Sequence, residues 1–545
     1  MCGFHSGQNG QSVSQPQSFC ESQEKRAAAS ERLPRLATDC KRIPSRRATR
    51  CHNQANAASV LAPACSAANS ASALHTAPAY TTPTGSTPTT FFAELRHLLR
   101  LGLPIALVQL GTTSLNLVDV AMLGHHEPLA LPAMALGNTL VWGALMFCMG
   151  VCTAVDPLLS QAVGAGDRAA IPRVLGRALL LAILLSLPTA LLLLPATTWL
   201  TLAGQPAELL APAAAYARIQ AFGLLPFLAY GVLRSLLSAH ARTLPQVLTI
   251  VAGNLLNLLL DWLLIYGHWG LPALGAAGAS LATVGCRVGM LAGLLWFGRA
   301  DLWPHLRALR EPAVRRAVLA IRPLWALLRL GAPIGGQFVL EMGVFAATAL
   351  LIGNLDAAAA ANGPGLAGHQ IALQLASLSF MVPLGLGLAA SVRVGWAVGA
   401  GNHGALRTTV GAALGTGAAV MSAFMIVFLC LPEVLARQFG PHGEALAVAA
   451  TLIPIAGVFQ IGDGLQVVAI GCLRGLGDVR SPLWANVVGF WLVGLPLGCW
   501  FAYGCGAGPA GLWWGLVVGL FVVAGLLLLA LRWRLLERRE RLVLG

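Results

Sequence analysis

From Leu95 onward, apolar segments long enough to cross a bilayer follow one another almost without pause. A membrane helix needs about 20 mainly apolar residues. Twelve such stretches are predicted, at 97–122, 134–163, 171–195, 209–237, 245–267, 273–298, 324–353, 367–399, 408–431, 446–473, 482–504 and 508–532. Gly and Pro inside several of them are tolerated in membrane helices. The expected fold class is therefore an all-α membrane protein with twelve transmembrane helices. Composition agrees: 57% of residues are hydrophobic and 10% charged, against about 25% charged in a soluble domain. A soluble enzyme is excluded, and so is disorder over most of the chain.

The distribution of charge sets the orientation. With the first helix starting in the cytoplasm, the cytoplasmic segments after position 90 carry 23 Arg. Among them are Arg168, Arg173 and Arg177, seven between Arg299 and Arg329, and five between Arg532 and Arg541. The opposite loops carry Arg437, and Arg218 and Arg287 fall within helices. This is the positive-inside pattern, with both termini cytoplasmic and an even number of spans. The arginines lie between apolar runs and not on one face of a soluble domain, so the basic balance does not indicate nucleic acid. The lysines, Lys25 and Lys41, both lie in the first 90 residues. A phosphate-binding loop ending in Gly-Lys, and with it ATP coupling within the chain, is excluded.

Residues 1–90 are polar, rich in Ser, Ala, Thr, Gln and Pro, with charge +9 −4 = +5. They cannot bury a core, and they lack the apolar stretch of a secretory signal. Three readings stay open: a plastid or mitochondrial transit peptide, a solvated tail, or a start near Phe91. The first would place the protein in a plastid envelope; otherwise a cell (inner or plasma) membrane is expected. Five of the twelve cysteines lie in this head. The rest sit mostly in apolar segments as small hydrophobes, and no disulfide or metal framework is expected.

The membrane body reads as two copies of one unit. The run Leu98-Leu99-Arg100-Leu101-Gly102-Leu103-Pro104-Ile105 recurs as Leu327-Leu328-Arg329-Leu330-Gly331-Ala332-Pro333-Ile334. Likewise Ala162-Val163-Gly164-Ala165-Gly166-Asp167 recurs as Ala397-Val398-Gly399-Ala400-Gly401-Asn402. Val232-Leu233-Arg234 pairs with Cys472-Leu473-Arg474. Six helices per copy make the repeats parallel, an architecture of transporters, with the substrate site between the halves near the bilayer midplane. The expected domains are a head 1–90, an N-lobe 91–298, a cytoplasmic linker 299–323, a C-lobe 324–535 and a tail 536–545.

Five acids fall inside predicted spans: Asp119, Asp156, Asp261, Glu341 and Asp463. A carboxylate at mid-bilayer costs about 2.5–3.5 kcal/mol on insertion scales, so each should face a cavity or a partner. Arg287 is the one midplane cation in reach of this reading. Protonation removes the cost, and a group holding either a proton or a sodium ion at midplane is a coupling site. Polar neighbours form stripes at helical spacing: Gln109, Thr112, Asn116 and Asp119; Asn254, Asn257 and Asp261; Gln337, Glu341 and Thr348; Gln460, Asp463 and Gln466; Gln370, Gln374 and Ser377. Asn and Gln in such stripes also serve as glue between helices. Asp119, Asp261, Glu341 and Asp463 are the expected functional acids. For Asp156, before Pro157, a structural role at a helix end is as good a reading.

Together these runs resemble the MATE family, multidrug and toxic compound extrusion transporters, over residues 92–535. The matching motifs are Val118-Asp119 with Met122-Leu123-Gly124, and Asp156-Pro157-Leu158 with Gln161-Ala162 and Gly164-Ala165-Gly166. In the second half they are Gly368-His369-Gln370-Ile371-Ala372, Met381-Val382-Pro383-Leu384-Gly385 with Arg393-Val394-Gly395, and Gln460-Ile461-Gly462-Asp463 with Leu473-Arg474-Gly475. The resemblance implies a V-shaped pair of six-helix bundles and export by alternating access against an inward proton or sodium gradient. It implies no enzymatic activity and no cofactor beyond the coupling ion. Asp119 matches the family's helix 1 acid, and Asn257 with Asp261 matches a helix 5 pair that acts as a proton site. Glu341 and Asp463 match the acids of the NorM-like branch, whose C-lobe holds the cation, sodium included. In that pattern a Tyr commonly stands four before the second acid; here it is Phe459. One oxygen ligand is lost, which favours protons, because hard cations want oxygen donors.

The implied cargo is small organic cations or other amphipathic molecules, moved by a monomer in contact with membrane lipid. Gln109, Asn116, Trp142, Met146, Gln337, Met342, Gln370 and Phe380 are the expected cleft residues. The competing reading is a lipid-linked precursor flippase of the same superfamily. That would want a basic cavity for a pyrophosphate, whereas the midplane groups here are acids.

Overall fold

The computed structural model describes residues 90–124, 129–358, 363–440 and 443–537, all within one compact unit, Tyr80–Gly545. The expectations for the head and for most of the tail lie outside these residues. Among the described residues, eleven helices are long and apolar enough to cross a membrane, and a bent pair taken as one span makes twelve. In chain order the spans are α1 (Phe91–Leu123), α2 (Ala130–Gly164), α3 (Ala170–Leu193), α4 (Ala207–Phe222 with Leu224–Ala239), α5 (Leu244–Tyr266) and α6 (Gly275–Phe297). The second set is α7 (Ile321–Ala358), α8 (Pro364–Gly399), α9 (His403–Cys430), α10 (Glu444–Gly475), α11 (Arg480–Gly504) and α12 (Gly508–Leu536). Each span read from hydropathy is present, with ends displaced by a few residues. Span ends are set by local chemistry that hydropathy does not register: the Thr90 hydroxyl accepts from Ala93 N–H at the start of α1.

Several helices are interrupted. α2 breaks at Thr153–Ala154 and resumes as Val155–Gly164. α4 bends by 45° at Gly223. α11 widens into π turns at Val487–Gly494 and Trp500–Gly504, around Pro496, consistent with the habit of π turns to appear as local insertions. The segment between the lobes is not a plain link. It holds two short helices, Arg299–Ala308 and Pro312–Val318.

The two larger hydrophobic cores among the described residues do not follow the repeat boundary. One is built mainly from α2–α6, yet Leu324, Leu327 and Ile334 from the start of α7 belong to it. The other is built mainly from α8–α12, yet it takes in Leu98, Leu101 and Ile105 from the start of α1. The first halves of α1 and α7 are thus exchanged between lobes. Side-chain size permits the crossing. A Cβ on Gly150 of α2 would stand 2.5 Å from the Gly335 Cα of α7, so only glycine lets these backbones meet. The exchange is fixed by polar contacts on the same side. Buried Glu94 of α1 accepts from Arg393 of α8 and from the Thr409 hydroxyl of α9 (2.9 Å). Gln161 donates to the Gly475 carbonyl (2.9 Å) and the Trp396 indole to the Ala239 carbonyl (2.9 Å). These polar contacts lie where α1 and α9 begin and α2, α4, α8 and α10 end, so on that side, the sealed side, the two lobes are tied together.

Candidate acid clusters in the two lobes

In the N-lobe, α1, α5 and α6 bring three polar side chains around Asp119. Asn257 donates to one carboxyl oxygen (2.9 Å) and the Thr283 hydroxyl to the other (3.0 Å). Asp261, one turn after Asn257, is fully buried beside Asp119. Among the described residues neither Asp261 oxygen has a hydrogen-bond donor, and the Asn257 carbonyl oxygen is also unpartnered. Two carboxylates only accept, so a proton shared between them is the one group that would satisfy both. Arg287 is buried nearby and interacts electrostatically with Asp119, but its guanidinium lies over the Phe227 ring at 5.1 Å. No hydrogen bond joins it to either acid among the described residues.

In the C-lobe, α7, α10 and α11 converge on Glu341. Gln466 donates to one oxygen (2.9 Å), and Gln337 (3.4 Å) and Asn486 (3.5 Å) to the other. Asp463 is buried on α10 close enough to repel Glu341. Arg474 donates to the Gln337 carbonyl oxygen (3.0 Å) and stands over the Phe338 ring (5.2 Å). The side-chain carbonyl oxygens of Gln460, Gln466 and Asn486 are buried and unpartnered. Gln466 and Asn486 flank Glu341, so two carboxyl groups and amide groups share one polar region, whose oxygens are the ligand type a small hard cation prefers. Phe459 supplies no oxygen; its ring packs edge-on against Phe345 and Trp513.

The other sequence-selected residues are scattered. Gln109 accepts from Arg234, so it is tied within its own lobe. Asn116 is exposed and accepts from Asn138 (3.4 Å). The stripe on α1 is therefore not uniformly turned inward: the Thr112 hydroxyl caps its own helix at the Val108 carbonyl. Trp142 packs edge-on against Phe227, and Phe380 packs on the C-lobe core. Met342 is half-exposed, and Gln370 is exposed. Asp156 faces Ser235, with Arg234 and Arg474 close by. Sequence reading missed Thr283, Asn486 and the place of Arg474 in the cluster. The repeat pairing of Arg234 with Arg474 was the available signal: each donates to a Gln on the first helix of its lobe.

Two six-helix lobes, each burying a pair of carboxyl groups, define a membrane transporter of the parallel-repeat class. The MatE family profile matches residues 104–263 and 333–500. The chain is 37% identical over 453 residues to the probable multidrug resistance protein NorM of Pseudomonas putida, covering 82% of this chain and 96% of that one. It is 36% identical over 470 residues to the multidrug resistance protein PmpM of Pseudomonas aeruginosa, covering 83% and 94%. The crystal structure of the eukaryotic MATE transporter AtDTX14 superposes with a TM-score of 0.74 at 24% identity, covering 83% of this chain and 99% of that one. The chain belongs to the MATE family.

Proposed function

We propose that this protein exports cationic, amphipathic small molecules in exchange for protons or sodium ions moving inward, by alternating access. One observation carries the reading: each lobe pairs two carboxyl groups within its membrane helices, Asp119 with Asp261 and Glu341 with Asp463, and none of these four is hydrogen-bonded to an arginine among the described residues. Uncompensated acids at this depth are costly unless they bind something positive. A proton fits the Asp119–Asp261 pair. A proton or sodium fits Glu341 and Asp463 with the orphaned amide oxygens of Gln466 and Asn486. The names of the relatives, multidrug resistance proteins, support a broad drug-like cargo.

With the termini in the cytoplasm, the sealed side is cytoplasmic and the acids load from outside. Loading changes the charge of a lobe by one or two units and favours release of a cationic cargo. The loaded state then opens inward and the ion leaves. The ion drives the cycle only because it binds the two states differently. The setting would be a bacterial inner membrane, given the relatives, and the acidic midplane speaks against a pyrophosphate-bearing lipid as cargo.

The test is ethidium efflux from efflux-deficient bacteria expressing the full chain, with and without external sodium and with a protonophore. Efflux abolished by the protonophore, and by Asp261→Asn, is the expected result for proton coupling in the N-lobe. Sodium dependence that disappears in Glu341→Gln would move coupling to the C-lobe. No efflux from a chain present in the membrane would overturn the reading.

A further inference from the structure

Two open grooves on the described surface share one chemistry, and neither belongs to the acid clusters. The first runs between α11 and α12, encloses about 400 Å³, and is lined by Arg480, Ser481, Trp484, Val488, Leu526 and Ala530 among others. The second follows α1 and combines Arg96 and Arg100 with Phe92, Leu95, Leu99 and Leu103. Each has arginine at the end of a membrane helix and apolar side chains along the next turns.

We propose that the α11–α12 groove binds an anionic phospholipid, with its phosphate on Arg480 and one acyl chain along Val488, Leu526 and Ala530. Arg480, Trp484 and Val488 are spaced by four, so they form one stripe about 12 Å long. The two helices run in opposite directions, so Ala530 lies near the Arg480 end and Leu526 deeper. Arg480 is exposed and its guanidinium has no acidic partner among the described residues. The nearby acid, Asp478, is already engaged by Arg534 (2.6 Å), by the Ser481 hydroxyl (2.7 Å) and by two backbone N–H groups. The groove therefore keeps a net positive head, which selects a phosphate that carries net charge over a zwitterionic one. Trp484 is 64% exposed, an amphipathic ring at the level where headgroups begin. Six residues beyond Arg480, Asn486 donates to Glu341, so a lipid seated here braces the helix that helps hold the C-lobe acid.

The test reconstitutes the full chain in nanodiscs of phosphatidylcholine with a fraction of photoactivatable phosphatidylglycerol and maps labelled peptides by mass spectrometry. Labelling is expected on residues 480–488 and 526–530. It should fall about fivefold in Arg480→Gln and stay unchanged in Arg322→Gln, which removes an equal charge elsewhere on the same face. Equal loss in both variants would reduce the effect to general surface charge and overturn the proposal. Competition by millimolar glycerol phosphate would identify a free-phosphate site and overturn it as well, as would labelling confined to other peptides. The readout is independent of transport, so it survives or fails separately from the proposed cargo and coupling ion.

Discussion

Asp478 shows how a single buried carboxylate can be structural and not functional. It lies in the turn between α10 and α11. Burial alone would raise its pKa, but hydrogen bonds from Ser481 and Arg534 outweigh that and hold it below the usual carboxylate range. Its contribution to stability is present above the unfolded value and disappears as pH falls through the lower folded value. Asp478→Asn should leave Arg534 without its charge partner and lower stability by about 1–3 kcal/mol, read as a lower thermal midpoint in detergent with efflux retained by the surviving fold. The membrane acids should behave in the opposite way. Asp261→Asn and Asp463→Asn remove a buried carboxyl group to which no described side chain donates a hydrogen bond, so the fold should persist while ion-coupled efflux drops by about tenfold or more, a loss of at least 1.4 kcal/mol of coupling. The four acids were legible in the sequence because a carboxyl group inside an apolar run is conspicuous. Thr283 and Asn486 were not, because hydroxyl and amide groups in a membrane helix bond equally well to their own backbone or to a neighbour.

At the scale of elements, hydropathy located every span, since length and apolarity are properties of the segment itself. It could not say which segments touch. The exchanged first halves of α1 and α7 depend on close contacts such as Gly150 with Gly335, and in sequence these are two glycines among 61. Gly335→Leu should push α7 off α2 and weaken the sealed side, measured as faster modification of a cysteine placed in that interface. Unchanged accessibility would mean that the seal does not rest on this contact. The linker makes a second prediction. His240 at the end of α4 and His305 in the helix Arg299–Ala308 lie with rings 5.5 Å apart. Burial lowers the pKa of His240, and burial with its neighbour pushes His305 down to about 4. Asp301 opposes the shift of His240 and Arg242 reinforces it. Both rings are therefore held neutral. The stability tied to them is full above the unfolded value near 6.5 and is lost as pH falls from there toward the folded values. Thermal midpoints between pH 7 and pH 4.5 should show that decline, and His305→Phe should flatten it.

At the scale of the molecule, two lobes with separate cores are joined by the exchanged helix halves and by the Glu94–Arg393–Thr409 cluster. The proposed alternating access has to bend α1 and α7 at these crossings or separate these contacts. A buried pair broken by removing one partner is costly, so Glu94→Gln should shift the population away from the sealed-side-closed state, visible as altered spin-label distances across the sealed face. Both clusters sit inside their lobes, so under the proposed coupling the effect of ion binding has to reach the seal through whole helices. Gln337 touches both Glu341 and Arg474, and Arg474 lies near Asp156 of the other lobe, which gives one continuous route. The central claim is that cargo and ion compete through the buried carboxyl groups. It is tested most directly by adding ethidium to the purified full chain in weakly buffered solution and recording proton release. The account predicts release of about one proton per bound cation, suppressed in Asp261→Asn, or else binding weakened by sodium and insensitive to it in Glu341→Gln. Cation binding with no proton release and no sodium dependence, in a protein that still binds ethidium tightly, would contradict it.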